Sequence, residues 1–308
     1  MSLVVRFIEV QIISNLFLIR IFKFYFRVEK SAIFALMGTQ MTSVVSFLVV
    51  GCQRCGTSWI DAALRGHPQV YLPQKKQSYF FDRNYQKGID WYLSNFEGVE
   101  PQHIAVGEVA TGYCLLEAIP NMSNHFPHSK LLMVMRNPTD RAYSNFQTRQ
   151  MESGWNSFEH ALEEDSDLLI RGQYIDQIEL LLDNYPRDQL LFMLYDDLHT
   201  DDRGYLKTIL EFIGVDTDLD SKLFGQRKNA AMFPKVRKQL HRFGLKSVAN
   251  LASNSPVGDW VRKNRKTKGR AYNPMNSETK EKLISHFLSY NERLEKVLRR
   301  DLSHWNRG

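Results

Sequence analysis

The stretch Phe47 to Arg65, FLVVGCQRCGTSWIDAALR, most constrains the fold, because an apolar strand, a glycine-bracketed turn and a helix start follow one another without a gap. Such a run commits the chain to a strand whose carboxyl end opens directly onto a helix N-terminus. The first amides of a helix have no acceptor inside it and carry positive partial charge, so this junction suits an anion. Gly51 and Gly56 stand five apart with Thr57 and Ser58 following, the spacing of the GxxxxGK[ST] phosphate loop. Thr57 occupies the lysine position, and the loop's cation is Arg54, three positions earlier.

Beyond the loop, Thr57 to Leu64 reads as a helix stopped by Gly66 and Pro68. Strand-like runs follow at Val70 to Leu72, Ile104 to Val106, Leu131 to Met135 and Leu190 to Tyr195. Helical stretches, Cys114 to His125, Pro138 to Met151 and Tyr174 to Asn184, lie between them. Strands alternating with helices predict an α/β fold, a P-loop-like parallel sheet covered by helices on both faces. Ligands of such sheets bind at the carboxyl ends of the strands. Three segments placed there carry unusual chemistry: Gly51 to Ser58, Gln77 to Asp82 and Arg136 to Ser144.

From Asp197 the pattern turns helical and basic, and Ser277 to Leu298 reads as one long closing helix with Ser277 as its N-cap. The 308 residues fit one large domain with an appendage. Residues 1–40 are expected to be an apolar and basic extension, residues 41–308 the working domain, and 224–265 a helical cover on the acceptor side. The extension is crossed by Arg6, Glu9, Arg20 and Lys23, and its charge-free run Val10 to Ile19 falls short of the roughly 20 residues that span a bilayer. A transmembrane anchor is therefore rejected. An interfacial amphipathic helix and a segment with little structure of its own both remain open.

Three cysteines, Cys52, Cys55 and Cys114, exclude a disulfide framework and suit a reducing compartment, so a cytoplasmic location is expected, with membrane association through residues 1–40 as an option. Cys52 and Cys55 form a lone CxxC with no second metal-ligating pair, so no metal is expected, and both read as loop packing. The net charge of +6 is mild, with arginine and lysine gathering in Arg227 to Arg242 and Arg262 to Arg270.

The segment Arg136-Asn-Pro-Thr-Asp-Arg141-Ala-Tyr-Ser144 begins where the apolar strand LLMVM ends. Pro138 suits a helix's first turn, and Arg141 and Ser144 share a helical face. Arginine pairs with phosphate bidentately, so two arginines and a hydroxyl here make a second phosphate site. A glycine loop plus an arginine–serine helix fits a nucleotide bearing phosphate at both 5′ and 3′ positions.

At this point the chain resembles the sulfotransferase family that uses 3′-phosphoadenosine 5′-phosphosulfate. It is most similar to the branch holding the heparan sulfate N- and 3-O-sulfotransferase domains and their bacterial relatives. The resemblance covers about residues 45 to 305 and rests on GCQRCGTS at 51, KKQSYFFD at 75, YQKGIDWYLSNF at 85, RNPTDRAYS at 136 and TKGRAYNP at 267. It implies a sulfotransferase fold and a 5′-phosphosulfate loop made of Gly51, Cys52, Gln53, Arg54, Cys55, Gly56, Thr57 and Ser58. Arg54 then matches the loop lysine that stabilises the leaving phosphate. Arg136 and Ser144 fall on the 3′-phosphate contacts, with Lys268, Gly269 and Arg270 as a late basic loop. The implied donor is 3′-phosphoadenosine 5′-phosphosulfate, the product adenosine 3′,5′-bisphosphate, and the acceptor a hydroxyl or amine on a carbohydrate, lipid or secondary metabolite. Nucleic acid is not an expected partner, since the 3′-phosphate role already accounts for Lys268 and Arg270.

The base is where the chain departs from that branch. Gln77 stands where a glutamate precedes the FF[DN] ending, and an amide cannot take a proton at neutral pH. Tyr79 replaces the histidine of 3-O members, and Val109 the lysine of an EKT motif whose glutamate is kept as Glu108. Three readings stay open. Glu108 or Asp82 acts as base; the acceptor is intrinsically nucleophilic or uses His67 or another histidine; or the protein binds nucleotide without efficient turnover. Asn229, Phe233, Lys235 and Arg237 are candidates for acceptor contact, and Trp91, Tyr92 and Trp155 for either sugar stacking or core. The competing enzyme class is a P-loop kinase or NTPase, in which LLFMLYDD at 190 would end in a Mg²⁺-binding aspartate; the missing loop lysine and Arg136 argue against it.

Overall fold

The computed structural model describes residues 45–218 and 274–307, and these fall into two compact units. The first holds residues 45–136 and 173–218, and the second holds 137–172 and 274–307. The expected extension at 1–40 and helical cover at 224–265 lie outside the described residues, as do Lys268, Gly269, Arg270, Asn229, Phe233, Lys235 and Arg237.

The first unit is built on five parallel strands: β1 (Phe47–Gly51), β2 (Val70–Tyr71), β3 (Ala105–Val109), β4 (Lys130–Met135) and β5 (Leu190–Leu194), in spatial order β2-β3-β1-β4-β5. Every residue of β1 is buried, as expected of a strand covered on both faces. β1 sits in the middle, with Phe47 opposite Gly107 on β3 and Lys130 on β4, so the chain departs to either side of it. The carboxyl end of that central strand is the topological switch point where doubly wound sheets bind ligands.

Helix α1 (Thr57–Arg65) leaves β1 through the glycine loop, and α2 (Ile89–Leu93) and α3 (Ala118–His125) follow. β2 and β5 each end one residue before the expected strand, at Tyr71 and Leu194, and Tyr195 opens a helix instead; two further elements differ more. β3 runs from Ala105 to Val109, not Ile104 to Val106, because hydrogen bonding to β1 carries it through Gly107 and Glu108, whose residue types hide the strand. The helix expected from Cys114 begins at Ala118, because the Cys114 amide instead donates to the Val50 carbonyl at 2.8 Å and ties the turn to β1.

The second unit contains α4 (Pro138–Ser153), α5 (Phe158–Glu164) and α6 (Asp167–Ile170). Asn137 caps α4, its Oδ1 accepting from the amides of Thr139 at 3.0 Å and Asp140 at 3.3 Å, and Pro138 fills the first turn. Phe146, Trp155, Phe158, Leu283 and Phe287 form its core, so Trp155 is a packing residue. The remaining helices of the first unit are α7 (Tyr174–Asn184), α8 (Tyr195–Thr200) and α9 (Asp202–Ile213). α9 is capped by Asp201 and ends at Gly214. The closing helix of the second unit, α10, spans Ser277–Leu298 as expected, but its cap is Asn276, whose side chain accepts from Glu278 and Thr279 amides. Among the described residues no helix is long and apolar enough to cross a membrane.

Candidate active site

The loop between β1 and α1 is shaped by its glycines. Gly56 caps α1 with φ +85°, a left-handed conformation that a side chain resists, and no side chain caps the helix. With no side-chain cap, the amides of Thr57 and Ser58 can meet an anion, while the Trp59 amide donates to the Gly56 carbonyl at 2.9 Å. A Cβ on Gly56 would lie 2.8 Å from the Tyr195 ring, and one on Gly51 would lie 2.6 Å from the Cys114 sulfur. The loop is thus pressed onto the first residue of α8 and onto the turn after β3.

Cys52, Cys55 and Cys114 are all buried free thiols. Burial, then hydrogen bonding to Cys114 and Cys55, pushes the Cys52 thiol well above its ordinary range, so it is a packing group and a poor nucleophile. Cys55 sulfur lies 3.9 Å from the Tyr174 hydroxyl, and that hydroxyl donates to the Arg136 carbonyl at 2.8 Å. The Arg136 guanidinium sits 5.2 Å from the centroid of the Tyr195 ring. Tyr174 and Tyr195, two residues absent from the sequence-based site, thereby connect the glycine loop with the end of β4. No local motif marks them; only the parallel pairing of β4 with β5 and the packing of α7 bring them here.

Arg54 is exposed, with φ +72°. Ser58 is also exposed, and its hydroxyl accepts from the Lys76 ammonium at 3.1 Å. Lys76 is largely desolvated, which lowers its basicity, with Asp61 acting in the opposite direction and Arg65 in the same one. Gln53 is half-buried and Thr57 buried.

The segment after β2 is pinned to the end of β3 at two points. Gln77 Oε1 accepts from the Thr111 amide at 3.2 Å and from its hydroxyl at 3.1 Å. Glu108 is 1% exposed, and its carboxylate accepts from the Ser78 amide, from the Ser78 hydroxyl at 3.2 Å and from the Tyr113 hydroxyl at 2.9 Å. Burial raises the Glu108 carboxyl above its ordinary range, and those hydrogen bonds pull it partway back. The structure therefore places Glu108 inside the protein, holding Ser78. Asp82 has a side chain only 3% exposed, 3.5 Å from the Arg83 guanidinium, and its carboxylate crowds Gly112, where a Cβ would meet it at 2.3 Å.

His67 is a buried latch, its Nδ1 accepting from the Gln69 amide at 3.1 Å and its Nε2 donating to the Asp216 carbonyl at 2.9 Å. Tyr92 is wholly buried, stacked on Phe80 at 5.0 Å between centroids, which makes it core. Trp91 is half-buried with the Lys87 ammonium 4.3 Å above its ring.

Ser144 lies half-buried on α4 in the second unit. Arg141, expected beside it on the anion-facing surface, is instead fully buried, and its guanidinium donates to the Leu168 carbonyl. Residues three apart stand only about 60° from each other around a helix, so half-buried Ser144 borders the face on which core contact with α6 takes the arginine. Among the described residues no group of three or more metal-ligating side chains is present.

The chain is 26% identical over 322 residues to the membrane-associated sulfotransferase kil1 of Dictyostelium discoideum, a match covering 85% of this chain and 66% of that one. It is 26% identical over 266 residues to the mouse (Mus musculus) heparan sulfate glucosamine 3-O-sulfotransferase 3B1, covering 82% and 63%. The human (Homo sapiens) bifunctional heparan sulfate N-deacetylase/N-sulfotransferase 3 is 27% identical over 285 residues, covering 82% of this chain and 29% of that one. The chain thus spans less than two thirds of the length of these relatives. A sulfotransferase from Alicyclobacillus acidocaldarius shares the fold, with a TM-score of 0.61 at 24% identity over 85% of this chain and 98% of that one. The sulfotransferase domain model matches residues 46–287, and the chain belongs to that family.

Proposed function

We propose that the protein transfers a sulfuryl group from 3′-phosphoadenosine 5′-phosphosulfate to a hydroxyl or amine, without a metal. The observation that carries this reading is the uncapped first turn of α1 beside Arg54 and the Lys76 ammonium, with Arg136 connected to the same loop through Tyr174 and Tyr195. Such a junction fits the phosphosulfate end of the donor: backbone amides and two cations meet a group that gains charge on one oxygen as it leaves. The donor supplies the activated sulfuryl group. The chain supplies the cradle from Gly51 to Ser58, the neutralising charge of Arg54, and Arg136 toward the 3′-phosphate. Ser144, in the second unit, and Lys268, Gly269 and Arg270, outside the described residues, keep the 3′-phosphate role that the resemblance implies.

Proton removal is the weaker part of this site. Glu108 is committed to Ser78 and Tyr113, so we assign it to holding the 77–80 segment in place. Gln77, with its oxygen occupied by Thr111, offers the site only amide N–H₂ donors and no group that can take a proton. Asp82 is left as the carboxylate of this segment, and an acceptor that ionises readily or attacks as a neutral amine suits the arrangement best. The names of the heparan sulfate relatives support a carbohydrate acceptor, and that of the kil1 relative supports membrane association.

The test is calorimetric titration with adenosine 3′,5′-bisphosphate in the absence of Mg²⁺, followed by transfer from labelled donor to a mixed panel of sugars, lipids, amines and phenols. Tight binding and labelled product support the reading. Binding of ATP with Mg²⁺ alone overturns it, and tight bisphosphate binding with no product on any acceptor would leave a nucleotide-binding protein, the outcome that Gln77 and Val109 would then explain.

A further inference from the structure

The glycine loop lacks a lysine at position 57 and the end of β3 lacks one at position 109, yet an ammonium stands at the loop nonetheless. It comes from Lys76, five residues beyond β2, whose Nζ donates to the hydroxyl of Ser58, the second residue of α1. This is an electrostatically costly place for a cation. A helix N-terminus carries positive partial charge and favours anions over lysine. Arg65 adds repulsion, and the nearby carboxylate of Asp61 already pairs with Arg65 at 3.1 Å. The ammonium has also given up much of its hydration, a cost that a neutral hydroxyl at 3.1 Å offsets only in part.

The segment that carries Lys76 is not free to move it away. Its next residue, Gln77, is anchored to Thr111, and the one after, Ser78, is held by Glu108 and Tyr113. A desolvated cation on a pinned backbone, set against the anion-binding end of a helix, is preorganised for a charge that arrives from outside.

We propose that Lys76 is a catalytic cation of this site, donating to the 5′-phosphate oxygen from which the sulfuryl group departs. The assignment rests on the sulfuryl-transfer reading above. In that reaction the bond from sulfur to the 5′-phosphate oxygen breaks and its electron pair stays on that oxygen. A new bond forms from sulfur to the acceptor, and the acceptor's proton passes to solvent or to a carboxylate. Lys76 meets the oxygen as its charge grows, and an ammonium of lowered basicity shares its proton more readily than Arg54 can.

The experiment compares Lys76→Met and Lys76→Arg with the unaltered full chain by calorimetric titration. The two probes are adenosine 3′,5′-bisphosphate and adenosine 3′-monophosphate, which lacks the 5′-phosphate. Lys76→Met is expected to weaken the bisphosphate about tenfold or more and to leave the monophosphate within about twofold, with Lys76→Arg recovering part of the loss. With donor and acceptor, kcat falls by a larger factor than KM for the donor rises. Equal weakening of both probes overturns the assignment, since Lys76 would then only brace α1, and so does unchanged binding of both. If the unaltered chain binds neither probe, the sulfuryl-transfer reading itself fails and the assignment falls with it.

Discussion

The Arg136 guanidinium lies 5.2 Å from the centroid of the Tyr195 ring, the same ring that a Cβ on Gly56 would meet at 2.8 Å. One aromatic side chain thus shapes the glycine loop and orients the arginine at the neighbouring strand end. Tyr195→Ala should loosen both, weakening adenosine 3′,5′-bisphosphate by about tenfold, whereas Tyr195→Phe, which keeps the ring, should stay within about twofold. Calorimetric titration of the two variants checks this, and equal losses would show that the hydroxyl rather than the ring matters.

Gly56→Ala tests the loop directly. The new methyl would sit in a left-handed conformation and press on Tyr195, so a loss of about 1–3 kcal/mol in stability is expected. Urea denaturation measures it, with nucleotide binding lost in parallel because the opening amides of α1 would shift.

Removing the Glu108 carboxylate should damage the fold before the chemistry. Glu108→Ala leaves the Ser78 amide and the Tyr113 hydroxyl without their buried acceptor, at a cost of about 1–3 kcal/mol. The pH dependence has a definite sign. Burial holds this carboxyl above its ordinary 4.5, so the folded state keeps the proton better than the unfolded state. Its contribution is full below that unfolded value and is lost as pH rises through the higher folded one. The stability of the unaltered protein relative to Glu108→Gln should therefore decline with pH from the mid-4 range upward, as read from denaturation curves over a pH series. A difference that grows with pH would contradict the burial argument.

Gln77→Glu places a carboxylate where the amide now stands. Its oxygen can still accept from the Thr111 amide and hydroxyl, so the melting temperature should move by no more than about 2 °C. General bases contribute roughly 10²–10⁴ in rate, so transfer to a hydroxyl acceptor near neutral pH should rise by at least about tenfold. Steady-state assays at saturating donor decide the point, and a fall in kcat would mean that the amide N–H₂ itself is required.

Much of the first unit was legible in the order of residue types. The run FLVVG, the two glycines and the helix start define β1, the loop and α1, because a buried strand, a left-handed turn and an amphipathic helix each leave a local pattern. β4, β5, α7 and α10 carry equally plain signals, and Ser277 to Leu298 is read to the residue. Legibility failed where long-range hydrogen bonds override local preference. β3 continues through Gly107 and Glu108 only because β1 pairs with it, and Cys114 is drawn out of a helix by Val50.

The candidate site divides along the same line. Sequence by itself determined that a glycine-bracketed loop and a helix start follow the first strand, that an arginine stands at the end of another, and that Gln77 is an amide and not a carboxylate, since residue identity and spacing carry those facts. Only the tertiary structure decided that Glu108 is enclosed by Ser78 and Tyr113, that Arg141 turns inward to Leu168, and that Tyr174 and Tyr195 join the loop to Arg136. It also brought the Lys76 ammonium to Ser58 across a separation of 18 residues. Burial and partner choice depend on which distant segments pack together, and no local spacing encodes that for a single lysine or glutamate.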